Sequence, residues 1–253
     1  MHTFRFWLVA VLAVLLGLAV WRVFVDTQVP APQIDAKRDK SEITRLVLVE
    51  TDGFSDPQAQ IRTLVRESPG GAWKADGAPA SAMIGRAGLG WAYTQREFAK
   101  GEEPIKREGD KRAPAGLFRF GSSFGSGPSQ LTGYMQLEAG QQFCVDDTAS
   151  DKYGQIVRQD EVPAGTSGEK MWEIGIYRLG LVVDYPTDRV AKAGSCIFIH
   201  VWKSPETPTV GCVAADEGTV ARLQEWVNDD RGGAAIAIVP REARGRLGLN
   251  LPE

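Results

Sequence analysis

The sequence predicts a mainly β domain with one or few helices, placed behind an N-terminal hydrophobic helix. Three observations predict it. Short apolar segments of strand length, several of them alternating or β-branched, recur from residue 43 to residue 240, divided by Gly, Pro, Asp and Ser clusters. Beyond the N-terminus, one stretch carries a helical period with acids in its first turn. The first 25 residues hold an uncharged apolar run too hydrophobic and too early to be an ordinary core helix.

That run, "FWLVAVLAVLLGLAVW", lies between Arg5 and Arg22 and has no polar face, so it does not fit a buried amphipathic helix. Gly17 and Ala19 suit a small-x-small cleavage pattern, while the run with "RVFV" approaches the ~20 residues of a spanning helix. Residues 1–25 therefore read as a signal peptide or a membrane anchor. Both place the remainder outside the cytoplasm, in the cell envelope: periplasmic, or anchored on the outer side of the cytoplasmic membrane. Residues 26–42, with two prolines, many charges and no apolar period, read as a linker. The domain proper spans 43–240. Its clearest strand candidates are "ITRLVLVET" (43–51), "AGLFRFG" (115–121), "IYRLGLVVDY" (176–185), "CIFIHVW" (196–202) and "AAIAIVP" (234–240). The helix is "DEGTVARLQEWVNDD", with Val220, Leu223 and Val227 on one face. Residues 241–253 read as a C-terminal tail.

Composition excludes several function classes. At 253 residues, 43% hydrophobic and 24% charged, the chain can bury one substantial core. A net charge of -3 with both signs interspersed gives no basic face for nucleic acid. The glycines of "IGRAGLGW" (84–91) run G-x-x-G-x-G without a long helix behind them, so they are turn glycines rather than a dinucleotide site. "KREGDKR" (106–112) reads most simply as a solvated loop, with a place beside a cleft as the alternative. Glu108 and Asp110 do not make a carboxylate acid/base pair, since nothing in a Gly-containing loop fixes their separation.

The chemistry gathers elsewhere. Of three cysteines and two histidines, Cys196, His200 and Cys212 fall within seventeen residues, and the other histidine is His2. In an exported protein three cysteines imply one disulfide and one free thiol. Cys144 in "QFCVDD" and Cys196 at the head of an apolar strand look like framework positions, so they form the pair. Cys212 is left free in "PTVGC", just ahead of the helix, where backbone N–H groups and the helix dipole would favour a thiolate. A loop of twelve positions with two prolines can return Cys212 to His200. The expected constellation is a Cys212 nucleophile and a His200 base, with the N–H groups of Cys212 and Gly211 stabilising an oxyanion. A zinc site from Cys144, Cys196, His200 and Cys212 lacks close C-x-x-C pairs and would occupy the nucleophile, so no metal and no cofactor is expected.

These residues resemble a known family. A histidine strand, a loop and a (Ser/Thr)-x-Gly-Cys turn, here His200 and then Thr209-Val210-Gly211-Cys212, resemble the signature of the L,D-transpeptidase (YkuD-type) catalytic domain. Upstream, "IKREGDKRAPAGLFRFG" (105–121) is similar to its Glu-Gly-Asp and Pro-x-Gly-x-Phe segment, "IGRAGLGW" to its Gly-rich stretch, and "GSCIFIHVW" to the branch with a cysteine in the histidine strand. The resemblance implies a β-rich sandwich or barrel whose thiolate attacks the carbonyl between the third and fourth residues of a peptidoglycan stem tetrapeptide. D-alanine leaves, and an amine resolves the thioester. Trp202, two residues after His200, and Thr209 become candidate substrate contacts. The chain departs from the family at Val210, where many members have histidine, and at Val213 and Ala214, where arginine or asparagine follows the cysteine. The implied partners are stem peptides and, through an uncleaved N-terminus, the membrane. Water in place of the amine gives an L,D-carboxypeptidase, and loss of turnover gives a cell-wall binding protein.

Overall fold

Strand-length apolar runs pair into a closed ring. The computed structural model describes residues 42–229 and 233–252, so the hydrophobic segment expected over 1–25, and all but the last residue of the linker, lie outside the described residues. In chain order the strands are β1 (Arg45–Thr51), β2 (Gln58–Val65), β3 (Lys74–Ala75), β4 (Ala80–Met83), β5 (Leu89–Trp91), β6 (Ala113–Gly125), β7 (Met135–Gln136), β8 (Phe143–Val145), β9 (Ile156–Val157), β10 (Gly168–Lys170), β11 (Leu179–Asp184), β12 (Phe198–Val201), β13 (Val213–Ala215) and β14 (Ala234–Pro240). Helix α1 (Glu217–Val227) lies between β13 and β14. Eight strands follow the order β1-β14-β6-β11-β12-β13-β4-β2, and β2 returns to pair with β1, which closes the barrel and removes its edges. Within the ring β1–β14 and β12–β13 are parallel and the other contacts antiparallel. A separate three-stranded sheet, β10-β8-β9, is joined to the barrel by the Cys144–Cys196 disulfide.

The core explains the covers. All of β1 is buried, including Arg45 and Glu50, because its outer face is roofed by the end of α1 and the C-terminal segment. Arg45 stacks on Trp226, while Glu50 pairs with Arg62 and Arg244. Asp216 caps α1 by accepting from Thr219 N at 2.9 Å, and Val220 and Leu223 face the barrel. Gln224 fixes the helix further, donating to the carbonyls of Phe124 and Gly180 at 2.8 and 2.7 Å. The expectation of a tail over 241–253 is corrected. Residues Arg241–Leu247 form a 3-10 helix, Leu247 and Leu249 are buried, and the Leu249 carbonyl accepts from Trp73 Nε1 at 2.7 Å, so the domain runs on through residue 252. The leucines of "RLGLNLP" gain by closing the core.

Candidate functional site

The loop after β12 is returned by the glycine-rich segment. Thr209 N donates to the Ile84 carbonyl and Arg86 N to the Thr209 carbonyl, each at 2.9 Å, across a bridge between Gly85 and Thr209. Gly85 permits this rail to sit against the next segment, for a Cβ there would lie 2.4 Å from the Lys111 carbonyl oxygen. The turn glycines are thus what seats the cysteine loop. Past Cys212 the chain enters β13, which pairs with β12 so that Ile199 meets Val213 and His200 meets Ala214. Side chains alternate along a strand, so Cys212, two residues before Ala214, shares the face of His200. The ladder spacing puts their Cα atoms about 8 Å apart. Both line a cavity of ≈170 Å³ together with Tyr177, Trp202 and Thr207.

His200 is only 4% exposed, and its Nδ1 lies 2.9 Å from the Val201 carbonyl oxygen. A carbonyl accepts, so Nδ1 carries the proton and Nε2 keeps a free lone pair. Burial lowers the imidazole to about 4, against the weaker opposing effect of that hydrogen bond, so the ring is neutral at physiological pH. Its face is fixed by Tyr177, whose ring centroid is 5.3 Å away in an edge contact. Tyr177 is held in turn by T-shaped contacts to Phe124 and Phe198.

Cys212 is 5% exposed and its sulfur donates to the Cys196 carbonyl oxygen at 3.4 Å. Burial first, then the charge of Glu169, push the thiol up to about 12, against a Phe198 backbone hydrogen bond, the Tyr177 hydroxyl and Lys106. The resting pair is a thiol and a neutral imidazole. This corrects the thiolate expected from the helix dipole. Strand β13 separates Cys212 from α1, which begins at Glu217, and a helix dipole falls off within a turn. The oxyanion role of Gly211 is also corrected, because its N–H is spent on Thr209 Oγ1 at 3.1 Å. Thr209 Oγ1 in turn donates to the Cys212 carbonyl at 2.6 Å, so this side chain clamps the turn rather than standing free for a substrate. Trp202 lines the cavity beside His200, and Val210 is 62% exposed at its rim.

Cys144 in β8 is bonded to Cys196 just ahead of β12, and Cys212 is free. The disulfide also takes two of the four residues of the alternative zinc set. On its other flank Cys212 opens on a second cavity of ≈210 Å³, lined by Lys106, Glu108, Lys111, Asp146 and Glu169. The loop 106–112 is therefore not simply solvated. Lys106 is buried with its Nζ 2.7 Å from Asp110, and Glu108 accepts from Tyr153 and Ser195 at 2.6 and 2.7 Å. Sequence reasoning missed Tyr177 and Glu169. Tyr177 Oη donates to Glu169 Oε2 at 2.6 Å, Tyr177 lines the His200 cavity with Cys212 and Glu169 the cavity on its other flank, yet neither residue stands in a motif.

No protein-family model matches the chain, and no curated protein matches it. Among solved structures it is similar to the helical cell shape determining protein Pgp2 from Campylobacter jejuni, at 14% identity and a TM-score of 0.38 over 78% of this chain. The match spans 48% of the Pgp2 chain.

Proposed function

We propose that this chain is a cysteine acyltransferase of the L,D-transpeptidase kind, acting on peptidoglycan stem peptides in the cell envelope. The observation that carries it is one cavity shared by a free thiol and a neutral imidazole with an available Nε2 lone pair. Cys212 Sγ attacks the carbonyl carbon between the third and fourth stem residues as its proton passes to Nε2. The C–N bond breaks, D-alanine leaves with that proton, and a thioester remains. A neighbouring stem's amine then attacks, losing a proton to Nε2, and the thiol is restored. A thiol at about 12 and an imidazole at about 4 make proton transfer uphill in the free protein, so it is coupled to attack once a substrate fills the cavity. The disulfide fits an oxidising compartment such as the envelope.

The test is intact-protein mass spectrometry after incubation with a tetrapeptide stem ending in D-alanine. The expected adduct has the mass of the stem minus D-alanine and is absent in Cys212→Ala. An added amine-bearing stem discharges it to a dimer, whereas discharge in water alone to a tripeptide identifies a carboxypeptidase. A second reading, a weakly active cell-wall binding protein, is favoured by the buried thiol and the occupied Gly211 N–H. It predicts muropeptide binding with no adduct in a folded protein.

A further inference from the structure

Cys212 stands where two cavities meet. One holds His200, the other holds Lys106, Glu108, Asp146 and Glu169, and only Cys212 and Val210 line both. The walls differ in kind. The second cavity carries charges of both signs, whereas among the described residues the first has one charged side chain, Lys203, since its histidine is neutral. Lys203 is exposed and has no ion-pair partner among the described residues. The chain around it explains why. Trp202 N donates to the Ala215 carbonyl at 2.8 Å, which fixes the end of the histidine strand just before Lys203. Glu206, the next acid along, is folded back onto the loop. Its carboxylate accepts from Ser204 Oγ at 2.9 Å, and its N–H donates to the same oxygen at 3.3 Å. The lysine is thus open to an anion brought in from outside.

We propose that Lys203 binds the free carboxylate of the residue whose nitrogen leaves at Cys212, so that the His200 cavity takes a C-terminal residue and not an internal one. The inference rests on the acyltransferase reading for the direction in which the peptide lies. A nitrogen that takes a proton from Nε2 as it departs must come within hydrogen-bond reach of that atom. Nδ1 is committed to the Val201 carbonyl, and His200 lines one of the two cavities alone. The leaving residue therefore fills the first cavity, and the acyl part passes Val210 toward the second. In an α-amino acid the carboxylate follows the nitrogen by one carbon, so a residue placed at Nε2 brings its negative charge into the same cavity. A carboxylate leaving water needs a counter-charge or donors, and Lys203 is the cation that this wall offers. An internal residue would bring a neutral amide there instead, and the lysine would gain nothing from it.

The test is isothermal titration calorimetry of the Cys212→Ala protein, which cannot form an acyl adduct, with a tetrapeptide stem ending in D-alanine and with the same stem ending in D-alaninamide. The free acid is expected to bind roughly fivefold more tightly at low salt, a preference that shrinks as salt is raised. Adding Lys203→Met should weaken the free acid to the level of the amide and leave the amide unchanged, while Lys203→Arg keeps the preference. Lys203 is exposed, so neither change disturbs the core. Equal affinities for acid and amide in the Lys203 protein would overturn the proposal, as would an equal loss of both in Lys203→Met or no binding of either. The acyltransferase reading is judged separately, by the adduct on Cys212 of the wild type. A Lys203-dependent preference for the free acid with no adduct leaves the carboxylate site standing while that reading fails. An adduct that forms equally fast from both stems does the reverse.

Discussion

Thr209 shows how much of the site hangs on one hydroxyl. It accepts from Gly211 N and donates to the Cys212 carbonyl, so it sets the turn that presents the thiol. Replacing it by valine keeps the shape and leaves two polar groups unpaired, and should lower stability by roughly 1–3 kcal/mol in a denaturant titration, with Thr209→Ser restoring most of it. His200→Ala has a different expected signature. His200 is neutral at rest and brings no charge to the thiol, so alkylation of Cys212 should keep its pH profile while the acyl adduct is lost. A profile shifted by a whole unit would show instead that the two side chains share a proton at rest. The Cys144–Cys196 pair and the free Cys212 beside His200 were legible because three cysteines and so few histidines leave few combinations. The roles of Thr209 and Gly211 were not, since the direction of a turn's hydrogen bonds depends on dihedrals that "TVGC" alone does not reveal. Glu169 and Tyr177 were invisible for a plainer reason: only folding brings them to the cysteine.

Strands and helices differ in what they announce. The helix α1 declares itself by Asp216 and its apolar face, and β1 and β14 by continuous aliphatic runs that become the parallel, doubly covered seam of the barrel. Strand β2, "QAQIRTLV", hides because its outward positions are polar and only Ile61 and Leu64 are buried. The small sheet around β8 is too short for a pattern, and its attachment is covalent. The Cys144–Cys196 bridge spans 52 residues and holds that sheet against the strand bearing His200. Substituting serine for both cysteines should cost roughly 2–4 kcal/mol, read as a lower melting temperature than in wild type. The Cys196 carbonyl is the acceptor over the Cys212 thiol, so the same variant should also alkylate faster at Cys212 under native conditions. An unchanged alkylation rate would mean that the bridge stabilises the sheet without shaping the site.

Across the whole molecule, one tie between the C-terminal segment and the first half of the chain converges on a single carboxylate oxygen. Glu103 Oε2 accepts from Arg246 Nη1 at 2.6 Å and from Trp91 Nε1 and Lys100 N at 2.9 Å each. Burial alone would raise this carboxyl, but the three donors and the arginine charge outweigh it and hold it at about 2. The folded value therefore lies below the unfolded one. The group contributes its full stability above the ordinary carboxylate range, and that contribution is lost as the pH falls toward 2. A depression of this size corresponds to roughly 3 kcal/mol. Glu103→Gln should accordingly lower stability at neutral pH by about 2 to 3 kcal/mol and flatten the acid limb of the stability profile, while Arg246→Met should do the same more weakly because two donors remain. Truncation after Pro240 removes Arg246 together with the buried Leu247 and Leu249, and should unfold the barrel outright. If the truncated chain kept a cooperative melting transition near the wild-type temperature, the closure of the core by residues 241–252 would be wrong.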